Sequence, residues 1–141
     1  RLAPYWGGVT MEAIKLSHQL LAAAGSPTTT FAPGEVIFRE GDKADKMYVV
    51  LSGEVEVRRQ GTVIDMLAQG ATFGEMALID GSPRSATVVA KTSSEVAAIN
   101  EKTFVLLVDE MPYFALSTMR NLVDRLRRMN EQWLALRPRS L

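Results

Sequence analysis

The sequence predicts a mainly β fold: an antiparallel β-roll, similar to a jelly-roll barrel, with an N-terminal helix and C-terminal helices flanking it. Between residues 31 and 100, short runs rich in β-branched residues alternate with turns that contain glycine. Many short strands at regular spacing are typical of antiparallel sandwiches and barrels. Before and after this region, apolar residues recur every three or four positions, as in amphipathic helices.

The predicted strands are the runs EVIF, MYVVL, EVEVR, TVIDML, SATVVA and EVAAI. Strict alternation of polar and apolar residues in EVEVR predicts a strand with one buried face and one solvated face. The turns between the runs are marked by Gly34, Gly41, Gly53, Gly61, Gly70 and Gly81.

The composition is that of a globular protein, with 141 residues of which 47% are apolar and 23% charged. This length is sufficient for one domain with its own core. A net charge of zero argues against a function that depends on coating nucleic acid or an anionic membrane. The absence of cysteine excludes a disulfide framework, a thiolate nucleophile and a Cys-ligated metal.

The apolar runs are too short for a membrane span, since the longest cover only residues 47–51 and 104–108. No secretory signal is recognisable at the start of the sequence. We therefore expect a cytoplasmic protein, or the cytosolic domain of a larger one.

We divide the chain into residues 1–10, an expression scar or the end of a preceding segment, and residues 11–141, a single domain. Within this domain the β-roll covers about residues 31–100 and the C-terminal helices about residues 101–136. The N-terminal helix is predicted over residues 11–24, with Thr10 as its N-cap.

His18 lies on this helix and is the sole histidine of the chain. One histidine predicts neither a metal site nor a Ser–His catalytic pair. We therefore expect no metal, no cofactor and no enzymatic activity.

After Asn100 the apolar period becomes helical again. Asn100 is a suitable N-cap for EKTFVLLVDE, and Pro112 suits the first turn of a second helix that ends before Pro138. The second helix has two interpretations that the sequence leaves open: a coiled coil in a homodimer, or a helix packed on its own β-roll. Both rest on a heptad seam formed by Met119, Leu122, Leu126, Met129, Trp133 and Leu136.

Arginines are concentrated towards the end of the chain. We interpret them as a solvated face rather than a nucleic-acid patch, because no helix-turn-helix follows them. No nucleic-acid partner is therefore expected for this chain alone. The arginines are Arg120, Arg125, Arg127, Arg128, Arg137 and Arg139.

The stretch FGEMALIDGSPRSATV, residues 73–88, places Glu75 before Arg84 among small and glycine residues. A glycine-rich strand end followed by GEMAL suggests a short helix whose first N–H groups favour an anion, above all phosphate. Arg84 would bind that anion through a bidentate, charge-assisted pair of hydrogen bonds. An ionised carboxylate only accepts hydrogen bonds, so Glu75 needs a donor, which a ribose hydroxyl next to a cyclic phosphate supplies. These residues therefore predict a cyclic nucleotide as the ligand.

The segment FGEMALIDGSPRSATVVA resembles the phosphate-binding cassette of cyclic-nucleotide-binding domains. Such domains occur in catabolite activator proteins, in regulatory subunits of cyclic-AMP-dependent protein kinase and in cyclic-nucleotide-gated channels. The resemblance extends upstream through FAPGEVIFREGDKADKMYVVLSGEVEV and downstream through AKTSSEVAAINEKTF, and it covers about residues 31–136. It implies a ligand-binding regulatory domain attached to a channel or to another output domain.

The resemblance also implies a role for each residue of the predicted site. Glu75 would accept from the ribose 2′-hydroxyl, and Arg84 would bind the exocyclic oxygens of the cyclic phosphate, with Gly74 permitting close approach. Val57 and Ile64 would contact the purine or the sugar. The remaining phosphate contacts would come from the backbone N–H groups of Met76, Ala77 and Ser85.

The identity of the base is less strongly indicated. We favour cyclic AMP, while the hydroxyl of Ser85 resembles receptors that accept cyclic GMP and keeps that ligand open. The resemblance further implies that a C-terminal helix covers the base as a lid. We place this lid at residues 129–133, where Met129 and Trp133 would pack on the purine and Asn130 would meet its edge.

Three alternatives are retained. Glu75 and Arg84 could form an internal salt bridge that ties two loops together. The β-roll is also similar to cupin enzymes, although cupin chemistry needs several histidine and carboxylate ligands, and fold alone does not define function. The last alternative is a structural module that dimerises through the heptad seam without any ligand.

Overall fold

The computed structural model describes residues 21–22 and 25–136. Leu21 and Ala22 have helical backbone, as predicted. The remainder of the helix predicted over residues 11–24, with Thr10 and His18, lies outside the described residues. So do residues 1–10 and Pro138.

Eight strands form two four-stranded sheets, with orders β1-β8-β3-β6 and β2-β7-β4-β5. Every strand pair is antiparallel. The prediction of a mainly β fold with flanking helices is confirmed, with two facing sheets rather than one closed barrel. The strands are β1 (Thr28–Phe31), β2 (Val36–Phe38), β3 (Lys46–Ser52), β4 (Val55–Arg59), β5 (Thr62–Leu67), β6 (Thr72–Phe73), β7 (Thr87–Ala90) and β8 (Ser94–Asn100).

Strand β3 shows why a continuous apolar run is needed at the centre of this fold. Its residues Met47, Val49 and Leu51 belong to a cluster that also contains Leu107 and Phe114 of the C-terminal helices. Val50 points the other way, into a second cluster shared with the facing sheet. Since successive side chains of a strand point to opposite faces, both faces of β3 are buried.

The sequence did not predict strands β1 and β6. Residues of β1 are largely exposed and do not alternate between polar and apolar, and β1 pairs with β8 along its length. Strand β6 has two residues, held in register opposite Tyr48 and Val49 of β3. Both strands are formed by pairing with a partner distant in sequence, which leaves little local signal.

Three helices complete the described fold: α1 (Met76–Ile79), α2 (Glu101–Glu110) and α3 (Tyr113–Leu136). The predicted N-cap is confirmed, because the Asn100 side chain accepts a hydrogen bond from the Thr103 N–H at 2.9 Å. Phe104 of α2 and Phe114 of α3 meet edge to face, with ring centroids 5.7 Å apart. Within the described part of the chain, no helix is both long enough and apolar enough to cross a membrane.

The heptad seam of α3 is not covered by the β-roll (residues 28–100). Leu122 is partly buried, but the other five seam residues expose between 51% and 85% of their surface. The interpretation of the seam as a helix face packed on its own β-roll is therefore wrong for these five positions. They are Met119, Leu126, Met129, Trp133 and Leu136.

Candidate functional site

A cavity of about 640 Å³ opens between the β4–β5 hairpin, the segment from Phe73 to Val88, and α3. Its lining includes every residue that the sequence predicts for the site outside the lid segment. These are Val57, Ile64, Gly74, Glu75, Met76, Ala77, Arg84 and Ser85.

Gly74 joins β6 to α1 and lies directly against the Arg84 guanidinium. Its φ of +77° is in the left-handed region that favours glycine. A Cβ atom at this position would lie 2.6 Å from Arg84 Nη1, which is shorter than any ordinary contact. Glycine is therefore required here both by the backbone conformation and by the approach of Arg84.

Glu75 is a buried carboxylate at the start of α1, with 5% of its surface exposed. It occupies the N-cap position, but its side chain makes no capping hydrogen bond to the helix. Its Oε2 instead accepts from the Thr72 hydroxyl at 2.5 Å, and its Oε1 lies 3.4 Å from Arg125 Nη1. Since an ionised carboxylate offers about four lone-pair sites, a further donor can still be accepted.

Arg84 is also buried, with 7% of its surface exposed, and its guanidinium is held without a carboxylate. Nη2 donates to the Lys46 carbonyl at 2.8 Å and Nη1 to the Gly74 carbonyl at 3.3 Å. The Phe38 ring centroid lies 4.0 Å from the guanidinium carbon. This geometry is that of a cation–π contact.

The Arg84 backbone is fixed as well, because its N–H donates to the Asp42 carbonyl and its carbonyl accepts from the Gly41 N–H. Burial lowers the pKa of the guanidinium from its ordinary value, while Tyr48 and Asp45 act in the opposite direction. Arginine nevertheless stays charged in proteins. Its Nε is buried and has no hydrogen-bond partner among the described residues.

The interpretation of Glu75 and Arg84 as an internal salt bridge is wrong. Of the ion pairs between residues that the structure describes, none joins these two side chains. Glu75 pairs with Arg125 instead, and Arg84 is bonded to carbonyl oxygens. The two side chains thus line the same cavity as separate groups.

Helix α3 contributes site residues that the sequence did not predict. Arg125 Nη2 donates to the Thr72 carbonyl at 2.5 Å, and Arg125 Nε lies 3.5 Å from Asp65 of β5. Arg128 Nη2 lies 3.2 and 3.0 Å from the two carboxylate oxygens of Asp65. The solvated-face interpretation is therefore wrong for Arg125 and Arg128. One signal was present in the sequence: Asp65 is a lone carboxylate within the otherwise apolar run of β5.

The predicted lid segment is placed only in part over the cavity. Met129 lines it, together with Leu122, Leu126 and Gln132 of α3. Asn130 and Trp133 are not among the lining residues, and Trp133 is 62% exposed. In a helix, residues three and four apart share a face, so the polar side chain on the face of Met129 is Gln132 rather than Asn130.

Part of the chain matches a known protein family. Residues 28–110 match the family model described as a cyclic nucleotide-binding domain. The chain belongs to this family. The matched residues include strands β1 to β8, helix α2 and the segment that contains Glu75 and Arg84.

Two curated relatives match the chain over part of their own length. A cAMP-dependent protein kinase regulatory subunit from Yarrowia lipolytica is 44% identical over 78 residues, which are 54% of this chain and 21% of that protein. A cyclic nucleotide-gated potassium channel from Mesorhizobium japonicum is 42% identical over 86 residues, or 61% of this chain and 24% of the channel. The chain therefore spans less than a quarter of the length of either relative.

Among solved structures, the chain is similar to the catabolite activator protein of Thermus thermophilus. The TM-score is 0.72 at 28% identity, and the match covers 95% of this chain and 63% of that protein. The similarity therefore includes α3 as well as the β-roll.

Proposed function

We propose that the cavity binds a cyclic mononucleotide, with the cyclic phosphate at Arg84 and the ribose at Glu75. The observation that carries this proposal is the state of Arg84: a buried guanidinium without a carboxylate, whose Nε has no partner in the described chain. A buried charge without a counter-ion is costly. An anionic ligand would supply the missing charge through charge-assisted hydrogen bonds.

Glu75 explains why the ligand would be a nucleotide rather than a simple phosphate. A second anion beside this carboxylate would be repelled, whereas a hydroxyl donates to it. The ribose 2′-hydroxyl lies next to the phosphate in a 3′,5′-cyclic nucleotide. Glu75 and Arg84 line the same cavity, and Arg84 Nη1 donates to the carbonyl of Gly74, the residue before Glu75, which suits this pair of ligand groups.

The base would lie between Val57 and Ile64 on one side and Met129 of α3 on the other. We infer that cyclic AMP is the preferred ligand and that cyclic GMP is the competing one, through the exposed hydroxyl of Ser85 at the cavity wall. Residues of α3 line the cavity where the base would lie. Ligand binding would therefore change the position of α3, and this change would be transmitted through α2 to attached segments. A ligand that favours one position of α3 shifts the equilibrium by its differential affinity.

The proposed role of the chain is regulatory and non-catalytic. Residues 11–141 would act as one ligand-binding domain in the cytoplasm or on the cytosolic side of a larger protein. The two curated relatives are a kinase regulatory subunit and an ion channel, each far longer than this chain. We infer that this domain also controls an attached output domain, and that it does not itself bind nucleic acid.

Isothermal titration calorimetry with cyclic AMP, cyclic GMP and linear 5′-AMP tests the proposal. We expect micromolar or tighter binding of one cyclic nucleotide and much weaker binding of 5′-AMP, whose additional charge and open phosphate fit the site less well. Incubation followed by chromatography of the ligand should show no turnover. Failure of both cyclic nucleotides to bind, or conversion of either one, would overturn the proposal.

A second candidate function is ligand-independent dimerisation through α3. It is favoured by the exposure of five apolar residues of the heptad seam. Sedimentation of the chain without nucleotide tests it, using a Met119→Glu, Leu136→Glu variant. The matched control is Val105→Glu, which changes an exposed apolar residue of α2. A parent that sediments as a monomer at all concentrations would exclude this candidate.

A further inference from the structure

Thr72 makes contacts that the proposed nucleotide site does not by itself require. It is 2% exposed, and its hydroxyl donates to Glu75 Oε2 at 2.5 Å. Its carbonyl accepts from Arg125 Nη2 at 2.5 Å. The Asn121 side-chain amide lies 3.5 Å from the same hydroxyl oxygen. Thr72 is thus contacted by α3 at its hydroxyl and at its carbonyl, and the same hydroxyl donates to Glu75.

The direction of these hydrogen bonds is determined by the chemistry of the groups. An ionised carboxylate can only accept, so the single hydroxyl proton of Thr72 is directed at Glu75. The oxygen lone pairs of Thr72 are then available to the amide N–H of Asn121. Asn121 is 2% exposed and its Oδ1 has no partner in the described chain, so this buried amide is costly to keep.

Asn121 and Arg125 are four positions apart and therefore lie on one face of α3. Both reach Thr72, the first residue of β6, which lies three positions before Glu75. A displacement of α3 would change the contacts of Thr72 as well as the Arg125–Glu75 ion pair. Thr72 in turn makes the shortest hydrogen bond that Glu75 has in this structure.

We propose that Thr72 is a positioning residue that couples the place of α3 to the orientation of the Glu75 carboxylate. This inference rests on the proposed function, since it assigns the coupling to the group that would receive the ribose hydroxyl. With α3 in its present position, Thr72 holds Oε2, and the lone pairs of Glu75 that neither Thr72 nor Arg125 occupies are left for a ligand donor. When α3 moves away, Thr72 loses both of its helix contacts and Glu75 loses its fixed orientation.

The test is a Thr72→Val variant, which removes the hydroxyl and nearly preserves the shape of the side chain. Calorimetric titration compares cyclic AMP with 2′-deoxy cyclic AMP, because only the ribose form donates to Glu75. We expect affinity for cyclic AMP to fall about five- to tenfold, the effect of one hydrogen bond, and affinity for the deoxy form to fall less than about twofold. Thr72→Ser restores the hydroxyl and should recover most of the loss.

Thr118→Val is the matched control. Thr118 is a buried threonine of α3 whose hydroxyl donates to the Phe114 carbonyl of its own helix. Its substitution removes a buried hydroxyl without touching Glu75, and should leave the ratio of the two affinities unchanged. Thermal unfolding of all variants separates a general loss of stability from a loss of ribose recognition.

Asn121→Leu supplies a second measurement if Thr72→Val fails to fold. It severs the amide contact from α3 but keeps the Thr72–Glu75 bond, and should lower ribose discrimination about two- to threefold. A parent that binds neither nucleotide would overturn the proposed function itself. A parent that binds, together with folded Thr72→Val or Asn121→Leu variants that keep its ribose-to-deoxy ratio, would overturn the positioning role alone.

Discussion

Arg84 and two of the arginines of α3, Arg125 and Arg128, border the same cavity, but their charges are balanced in different ways. Arg84 belongs to the β-roll and is held by two carbonyl oxygens and an aromatic ring. Arg125 and Arg128 belong to α3 and are paired with the carboxylates of Glu75 and Asp65. The first charge is buried with no carboxylate in ion-pair contact among the described residues, whereas the other two are paired with carboxylates.

The difference separates two tasks within one site. A guanidinium fixed by neutral groups retains its affinity for an anion, because no internal carboxylate competes for it. Guanidinium groups paired with carboxylates on another element instead hold that element in place. The β-roll therefore provides the proposed anion site, and α3 is held against it by ion pairs with Glu75 and Asp65.

The largest effect is expected for Arg84→Ala. Loss of the phosphate partner should weaken binding of cyclic nucleotide by about 2–4 kcal/mol. Unfolding free energy should change by less than about 1 kcal/mol, since the cost of burying the charge disappears together with its contacts. Calorimetry and chemical denaturation measure the two quantities. The control is Arg39→Ala, which changes an exposed arginine outside the cavity lining. If Arg84→Ala bound the nucleotide within threefold of the parent, the phosphate would lie elsewhere.

Glu75→Gln should rank next. We expect a loss of about 1.5–3 kcal/mol for a ribose nucleotide, because the hydrogen bond to a charged acceptor is lost. The loss for a 2′-deoxy nucleotide should be clearly smaller. Titration of both ligands gives this difference, and the control is Glu131→Gln on the exposed surface of α3. Equal losses for the two ligands would assign Glu75 to holding α3 through Arg125 rather than to the ribose.

Gly74→Ala should produce an intermediate effect on binding, of about 1–2 kcal/mol. The new methyl group would displace the Arg84 guanidinium, which lies 2.6 Å from the Cβ position. The left-handed backbone would add about 1–2 kcal/mol of strain. Gly34→Ala is a matched control, because Gly34 has φ +88° but no atom within 4 Å of its Cβ position.

In this pair of variants, both should lose stability, and only Gly74→Ala should lose affinity. Parallel measurement of unfolding free energy and nucleotide affinity distinguishes strain from displacement of Arg84. If Gly34→Ala lost as much affinity as Gly74→Ala, the contact with Arg84 would not explain the requirement for glycine.

The smallest effect is expected for Arg128→Ala. Its ion pair with Asp65 is partly exposed, with 39% of the arginine side chain accessible, so a contribution of about 0.5–1 kcal/mol is expected. The effect should decrease at high salt, because exposed ion pairs are screened. Hydrogen exchange of α3 amides at low and high salt measures this contribution and its salt dependence. Arg127→Ala is a control on the same helix. Identical exchange in both variants would show that the Asp65 pair does not hold α3.

The predictability of the site depends on how its residues are distributed along the chain. Gly74, Glu75 and Arg84 lie within one short segment, and their side-chain types alone suggested an anion beside a hydroxyl. The partners of α3 are remote: Arg125 bonds Glu75 and Thr72 across 50 and 53 positions, and Arg128 bonds Asp65 across 63. No local pattern of charge identifies such pairs, so the sequence alone does not distinguish Arg125 and Arg128 from ordinary surface arginines.

The local sequence determined where the main strands run, where α2 begins at Asn100, and which residues form the cassette around Glu75 and Arg84. Each of these depends on side-chain period, turn chemistry or capping within a few residues. The tertiary structure decided that β1 and β6 exist, that Glu75 contacts Arg125 rather than Arg84, and that Gln132 faces the cavity in place of Asn130. The two strands depend on pairing with β8 and β3, whereas the other two outcomes depend on how far α3 lies over the β-roll and how it is rotated about its axis. Packing between distant elements sets that position, because the free energy that holds α3 comes from contacts whose partners are adjacent only after folding.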